Sequence, residues 1–420
     1  MFKTIEKCAI IFLIIVLVGF ILMCVTYTLP TDNAHANIMK DAEKFDVLYP
    51  YVIPNDKTTV LDVFTDLKII IEVLDKNEYN SPIKNAMAVY SASPKDFNSF
   101  MEGDLNVTWE YPRYWHGNLV VYSILLNFFD YSGIKIINLF CELILIIGII
   151  KLMIDNDLKN YILPFAISLL FIHPEVIGQS LQYAPVFYIM LISVYVLLKF
   201  KKKLFENNNL IYYFLIIGMS TSFFDYLTYP LVTLGTPLIF YLLLENNKQT
   251  LKENICKLLL LAFVWAFGYV GMWVSKWIIA SAVLNKNIIA SGLNILALRS
   301  SSVEGVPRYG ALIKNILVYN NNYYIVIISA LIIYYIARLI KIKGNLSVNK
   351  LKKTIPFLLI GITPFLWYLF ASNHSFIHYW MTYRILFVFF FAILCSLEYL
   401  IRKKGTNHTH QNEFVNNSIL

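Results

Sequence analysis

Apolar runs of roughly 17–25 residues recur along this chain, each long enough to cross about 30 Å of hydrocarbon. In a bilayer the backbone must satisfy its own hydrogen bonds, so runs of this length fold as helices. The short alternating segments of a membrane β-barrel are absent. One run extends from about Cys8 to Thr28. The others centre near Leu143, Ala166, Ile189, Leu215, Gly235, Phe263, Ile328, Ile360 and Phe389. The pattern predicts an all-α polytopic membrane protein of about ten transmembrane helices with a large extracytoplasmic first loop. Only 15% of its 420 residues are charged, against about 25% in a soluble domain.

Charge placement orients the bundle. The chain carries a net charge of +8, but its lysines cluster where apolar runs end and form no continuous face, so a nucleic-acid partner is not expected. Lys151 and Lys159 mark one cytoplasmic junction, and Lys199, Lys201, Lys202 and Lys203 a second. Lys248, Lys252 and Lys257 follow, then Arg338, Lys341, Lys343, Lys350, Lys352 and Lys353, and last Arg402, Lys403 and Lys404. The turns His173-Pro-Glu175 and Phe224-Asp-Tyr-Leu-Thr-Tyr-Pro230 hold no Lys or Arg and are placed outside. Both termini then lie in the cytoplasm. The first run is long for a secretory signal and lacks a small-residue cleavage site, so it reads as an uncleaved span.

These features divide the chain into a first helix (1–28), an extracytoplasmic loop with juxtamembrane helices (29–132), a bundle (133–404) and a disordered cytoplasmic tail (405–420). Gly117 to Phe129 reads as an interfacial or re-entrant helix, because a span there would move Lys201, Lys202 and Lys203 outside. The five cysteines lie within or beside apolar runs, so neither a disulfide framework nor a cysteine metal site is expected. Abundant Lys, Asn, Ile and Tyr suggest an AT-rich bacterial genome, and hence a bacterial plasma membrane.

The polar residues gather on the outer side. Asn373-His-Ser-Phe-Ile-His-Tyr-Trp-Met-Thr-Tyr-Arg384 joins two apolar runs. His374 and His378 stand at i, i+4, a spacing that suits zinc only with a third ligand. Anion recognition suits them better, because Arg384 offers a two-point fork for phosphate. Tyr379, Trp380 and Tyr383 either stack on a sugar or belong to the interfacial belt. Asp225 sits in an aromatic turn and calls for a cation, with Arg384 and Arg113 as candidates. His116 lies beside Arg113 in the aromatic run Tyr111–His116. Asp62 and Asp66 share a helical face, which is either solvated or compensated by a cation or ligand hydroxyl. Asp32 and His35, just past the first run, read as base and orienter, as two metal ligands, or as a helix N-cap. A divalent cation therefore stays open as a cofactor. Glu142 and Lys276 are further candidates by their position inside apolar runs.

The order of these parts resembles the GT-C superfamily of integral-membrane glycosyltransferases. An N-in first span leads to Leu29-Pro-Thr-Asp32, a long outer loop, an interfacial helix and a many-spanned bundle. The Phe224–Pro230 and Asn373–Arg384 strings are similar to those of uncharacterised bacterial proteins near that superfamily. The usual family sign is adjacent acids after span one, whereas this chain has Asp32 alone, with Asp41 and Glu43 further on. The resemblance implies transfer of a sugar from a polyprenyl-phosphate-linked donor to a glycan acceptor. It makes Asp32 the base and makes His374, His378 and Arg384 the phosphate ligands, with Asp225 as the alternative base. A polysaccharide repeat-unit polymerase using Arg299 and Arg308 is a second reading. A non-enzymatic lipid flippase or transporter is the third.

Overall fold

The computed structural model describes residues 2–75, 79–245, 249–341 and 347–401. Lys248, Lys343, Arg402, Lys403, Lys404 and the tail from Gly405 to Leu420 lie outside the described residues. A helix occupies each of the ten expected centres. Six are long and apolar enough to cross a membrane: Phe2–Thr26, Tyr131–Asp155, Leu251–Leu284, Asn322–Lys341, Val348–Phe370 and Tyr379–Ile401. The protein is therefore all-α and of multi-pass membrane type. Length and composition alone do not confirm the expected count of about ten.

The other four helices are Ile162–Leu170, Ala184–Lys199, Asn209–Phe224 and Val232–Glu245. At about 1.5 Å per residue they reach only ~14–24 Å. Protein surrounds the last of them: every residue of Val232–Glu245 except Leu244 is buried. Hydropathy registers burial in protein and in lipid alike, so apolar character by itself does not count the spans.

A two-stranded antiparallel ribbon, Tyr90–Ala92 against Thr108–Glu110, is the only sheet among the described residues. The first loop does not stand apart from the bundle. Its helix Val63–Leu74 buries Val63, Leu67, Ile70 and Ile71 in a core shared with Met23 of the first helix, Leu119, and Met272 of the long helix Leu251–Leu284. The segment expected at the interface forms the helix Asn118–Phe128. Its 11 residues reach about 16 Å, half the hydrocarbon thickness. Phe128 is 74% exposed at its end. Asn37 anchors the other side by donating to the Leu126 carbonyl at 3.0 Å.

One close approach joins this loop to the Asp225 turn. The Gly117 N–H donates to the Phe223 carbonyl at 2.9 Å. A Cβ at Gly117 would stand 2.6 Å from that oxygen, so only glycine fits.

Candidate functional site

Asp62, Thr65, Lys68 and Glu72 recur at helical spacing and form one stripe of the helix Val63–Leu74. The stripe lines a polar cavity of about 150 Å³. The short helix Ser372–Ile377 and its continuation supply His374, His378 and Trp380, the 225–230 turn supplies Tyr226, and Arg299 ends the helix Ile288–Ser300. Four segments far apart in sequence thus meet here.

Beside it runs an apolar groove of about 380 Å³. Trp265, Trp273 and Trp277 of the long helix line it, with Leu293, Leu296 and Phe370. Tyr114 and Arg299 belong to both spaces, and Arg113 lines the groove next to Tyr114. The Nε atoms of Arg113 and Arg299 are buried without a hydrogen-bond partner. Neither guanidinium has a carboxylate within ion-pair distance among the described residues.

The two cavity carboxylates differ in their partners. Glu72 Oε2 accepts from His116 Nδ1 at 2.9 Å and from Tyr226 at 3.1 Å. His116 Nε2 faces the Tyr111 carbonyl at 2.9 Å. Both ring nitrogens of His116 thus face hydrogen-bonding oxygens, and Glu72 has the imidazole and the Tyr226 hydroxyl as partners. Asp62 is 2% exposed and has no ion-pair partner among the described residues. Its Oδ1 caps the helix by accepting from Thr65 N–H at 3.0 Å. Its Oδ2 faces the Trp380 indole N–H at 3.5 Å. Burial, seconded by the nearby Asp66 charge, pushes its carboxyl up to about 6. This is the range in which a carboxylate serves as a general base near neutral pH.

The histidines are neutral. Arg299 Nη1 donates to His378 Nε2 at 3.2 Å, which places the His378 proton on Nδ1. Burial, and then Arg299, lower His378 to about 4. His374 Nε2 donates to the Leu227 carbonyl at 2.7 Å. Burial holds His374 well below the usual histidine range, with His378 and Arg299 adding to the effect. Arg299 carries the positive charge here, and its bond to His378 orients it. Their rings lie 4.7 Å apart, but the described residues contain no group of three His, Cys, Asp or Glu able to hold a metal.

Several candidates take other places. Asp32 and His35 are exposed on the helix Asp32–Met39, outside the lining of both spaces. Asp32 opens that helix without a side-chain cap bond, the cap position being Thr31. Asp66 is buried, not solvated: it accepts from Tyr131, Ser180, Leu181 N–H and Gln182 N–H at 2.7–3.1 Å. Those four donors make it a tie between the loop and the bundle. Asp225 pairs with neither Arg384 nor Arg113. Its Oδ1 accepts from the Thr228 N–H and hydroxyl at 2.8 and 2.6 Å, and burial pushes it up to about 6. It stabilises the turn whose Leu227 carbonyl receives His374.

Arg384 is fully buried and directs its fork at protein rather than a ligand. It donates to the carbonyls of Ile172, Trp380 and Thr58 at 3.2, 2.9 and 3.4 Å. Tyr383, also buried, donates to the same Thr58 carbonyl at 2.7 Å. Together they clamp the segment that carries Tyr49 over the cavity. Lys276 is buried and donates to the Ala86 carbonyl at 2.9 Å, and Glu142 is buried beside Gly178.

Sequence reasoning left Tyr49, Lys68, Glu72 and Gln182 out of the site, and took Arg299 only as a polymerase residue. The periodic stripe from Asp62 to Glu72 was the available signal. Compared with protein-family models, with curated proteins and with solved structures, the chain has no match in any of the three.

Proposed function

We propose that this chain is a membrane glycosyltransferase. It moves a sugar from a polyprenyl-phosphate-linked donor to a cell-surface glycan or glycolipid, on the extracytoplasmic face of a bacterial plasma membrane. One observation carries the reading: a polar cavity with an unpaired buried carboxylate shares Tyr114 and Arg299 with an apolar groove. A donor with a long hydrocarbon tail, an anionic linker and a polar sugar needs that sequence of environments. The tail lies among the groove tryptophans, the phosphate meets Arg299 and Arg113, and the sugar enters the polar cavity.

The chemistry is a single displacement. Ionised Asp62 takes the proton of an acceptor hydroxyl as its oxygen bonds to the sugar C1. The bond from C1 to the phosphate oxygen breaks, and its electron pair leaves on the lipid phosphate. Arg299 and Arg113 stabilise that growing charge in a site of low dielectric. The base is thus Asp62, in place of Asp32 or Asp225, and Asp225 positions the Leu227 turn.

Purified protein given a polyprenyl-phosphate sugar and acceptor should release polyprenyl phosphate, and Asp62→Asn should abolish release. Undiminished release by that variant would overturn the assignment. A repeat-unit polymerase is the second reading, favoured by Arg299 at the junction. It predicts lengthening of lipid-linked repeats rather than single-sugar addition. Lipid movement across the bilayer without any release would indicate the flippase reading.

A further inference from the structure

Tyr49, Phe64 and Trp380 line the polar cavity but not the groove. The Tyr49 ring stacks on Phe64 at an interplanar angle of 11° and meets Trp380 edge-on, with centroids 5.9 and 5.7 Å apart. Trp380 in turn meets the His378 ring edge-on at 5.3 Å. Tyr49 is 42% exposed. A belt aromatic faces lipid, whereas these rings border a buried carboxylate. The Trp380 indole N–H points at Asp62. Tyr49 and Asp62 line the same cavity.

Aromatic side chains with one polar tip hold amphipathic ligands by their flat faces. A pyranose fits that description, since its ring C–H groups form an apolar face and its hydroxyls point outward. The donor's tail and phosphate are drawn to the groove and Arg299, with its sugar just inside the polar cavity, which leaves the exposed aromatic edge at Tyr49 for the other substrate.

We infer that Tyr49, Phe64 and Trp380 form the acceptor subsite, a platform for one pyranose ring whose nucleophilic hydroxyl is presented to Asp62. This rests on the transferase reading and adds to it the acceptor's chemical class and its side of entry. In the step itself, the acceptor O–H proton passes to the Asp62 carboxylate. The acceptor oxygen bonds to donor C1, and the lipid phosphate departs with the electrons of the broken C1–O bond. Arg384 and Tyr383 are positioning residues here, because they hold the Thr58 carbonyl and with it the segment bearing Tyr49.

The test is saturation-transfer NMR on the full chain in nanodiscs, without lipid donor. The probes are the methyl glycosides of glucose, galactose, mannose and N-acetylglucosamine. At least one should receive saturation on its ring protons, with the signal reduced fivefold or more in Tyr49→Ala and in Trp380→Leu. Tyr49→Phe, which keeps the ring, should retain it, and this separates stacking from a folding defect. Failure of all four probes, or a signal unchanged in Tyr49→Ala, would overturn the subsite. Failure here alongside normal release of polyprenyl phosphate would leave the transferase reading standing. Sugar binding at these residues without any release would remove the transferase reading and leave a glycan-binding platform.

Discussion

Replacing Asp62 with asparagine should remove activity and strengthen the fold, a combination that a purely structural aspartate would not give. The carboxyl rises from an ordinary 3.8 to about 6 because burial disfavours its charged form. At about 1.4 kcal/mol per pH unit, that corresponds to ~3 kcal/mol of lost stability once the group is ionised. The sign follows from the folded value lying above the unfolded one. The folded state binds the proton more tightly, so the penalty is absent below about pH 4, grows between 4 and 6, and is complete above 6. Asparagine keeps an oxygen for the Thr65 N–H, and Asn and Asp cap helices about equally well. The variant should therefore melt above the wild type at pH 7.5, with the gap closing toward pH 4.5, while turnover falls by roughly 10²–10⁴. Thermal melts in detergent at the two pH values, paired with lipid-phosphate release, measure both effects. A variant that melts lower at pH 7.5, or that turns over normally, refutes the reasoning.

In wild-type protein the rate of release should rise with pH through an apparent value of about 6 and then level off, as a base must be ionised to act; a pH–rate profile checks this. Asp32→Asn should keep most of the release activity, since Asp32 is exposed outside both spaces. Arg299→Ala should raise KM for the lipid donor about tenfold or more, as a charged hydrogen bond contributes ~1.5–3 kcal/mol. Arg384→Met should lower the melting midpoint by leaving three buried carbonyls without this donor, ~1–3 kcal/mol each where no other donor replaces it. Donor KM in the protein that does fold should be unchanged. Gly117→Ala should also melt lower, because its Cβ meets the Phe223 carbonyl, an overpacking cost of ~1–3 kcal/mol.

The helices were legible because long apolar runs allow few other structures. How many cross the bilayer was not, since hydropathy alone does not separate a span from a helix such as Val232–Glu245, which protein buries along almost its whole length. Spacing placed Asp62 and Asp66 on one face, but spacing cannot say which of them meets a cavity and which meets four hydrogen-bond donors. Arg384 illustrates a similar limit: a guanidinium fork suits phosphate and backbone carbonyls equally, and only the fold decides between them. Asp32 was singled out by its position after the first span, yet its helix leaves it on the surface. Arg299 drew little notice because its partner His378 lies 79 residues away. That contact depends on how Ile288–Ser300 folds back beside the long helix.

The most direct test is photocrosslinking of the full chain in nanodiscs with a polyprenyl phosphate carrying a diazirine on its first isoprene unit. Labelling should concentrate between Trp265 and Trp277 and around Leu293–Leu296. Unlabelled polyprenyl phosphate should compete, the free polyprenol should not, and Arg299→Ala should lose the label. Labelling spread evenly over lipid-facing helices such as Phe2–Thr26, or indifferent to both the phosphate and Arg299, would contradict a lipid-phosphate site at this junction.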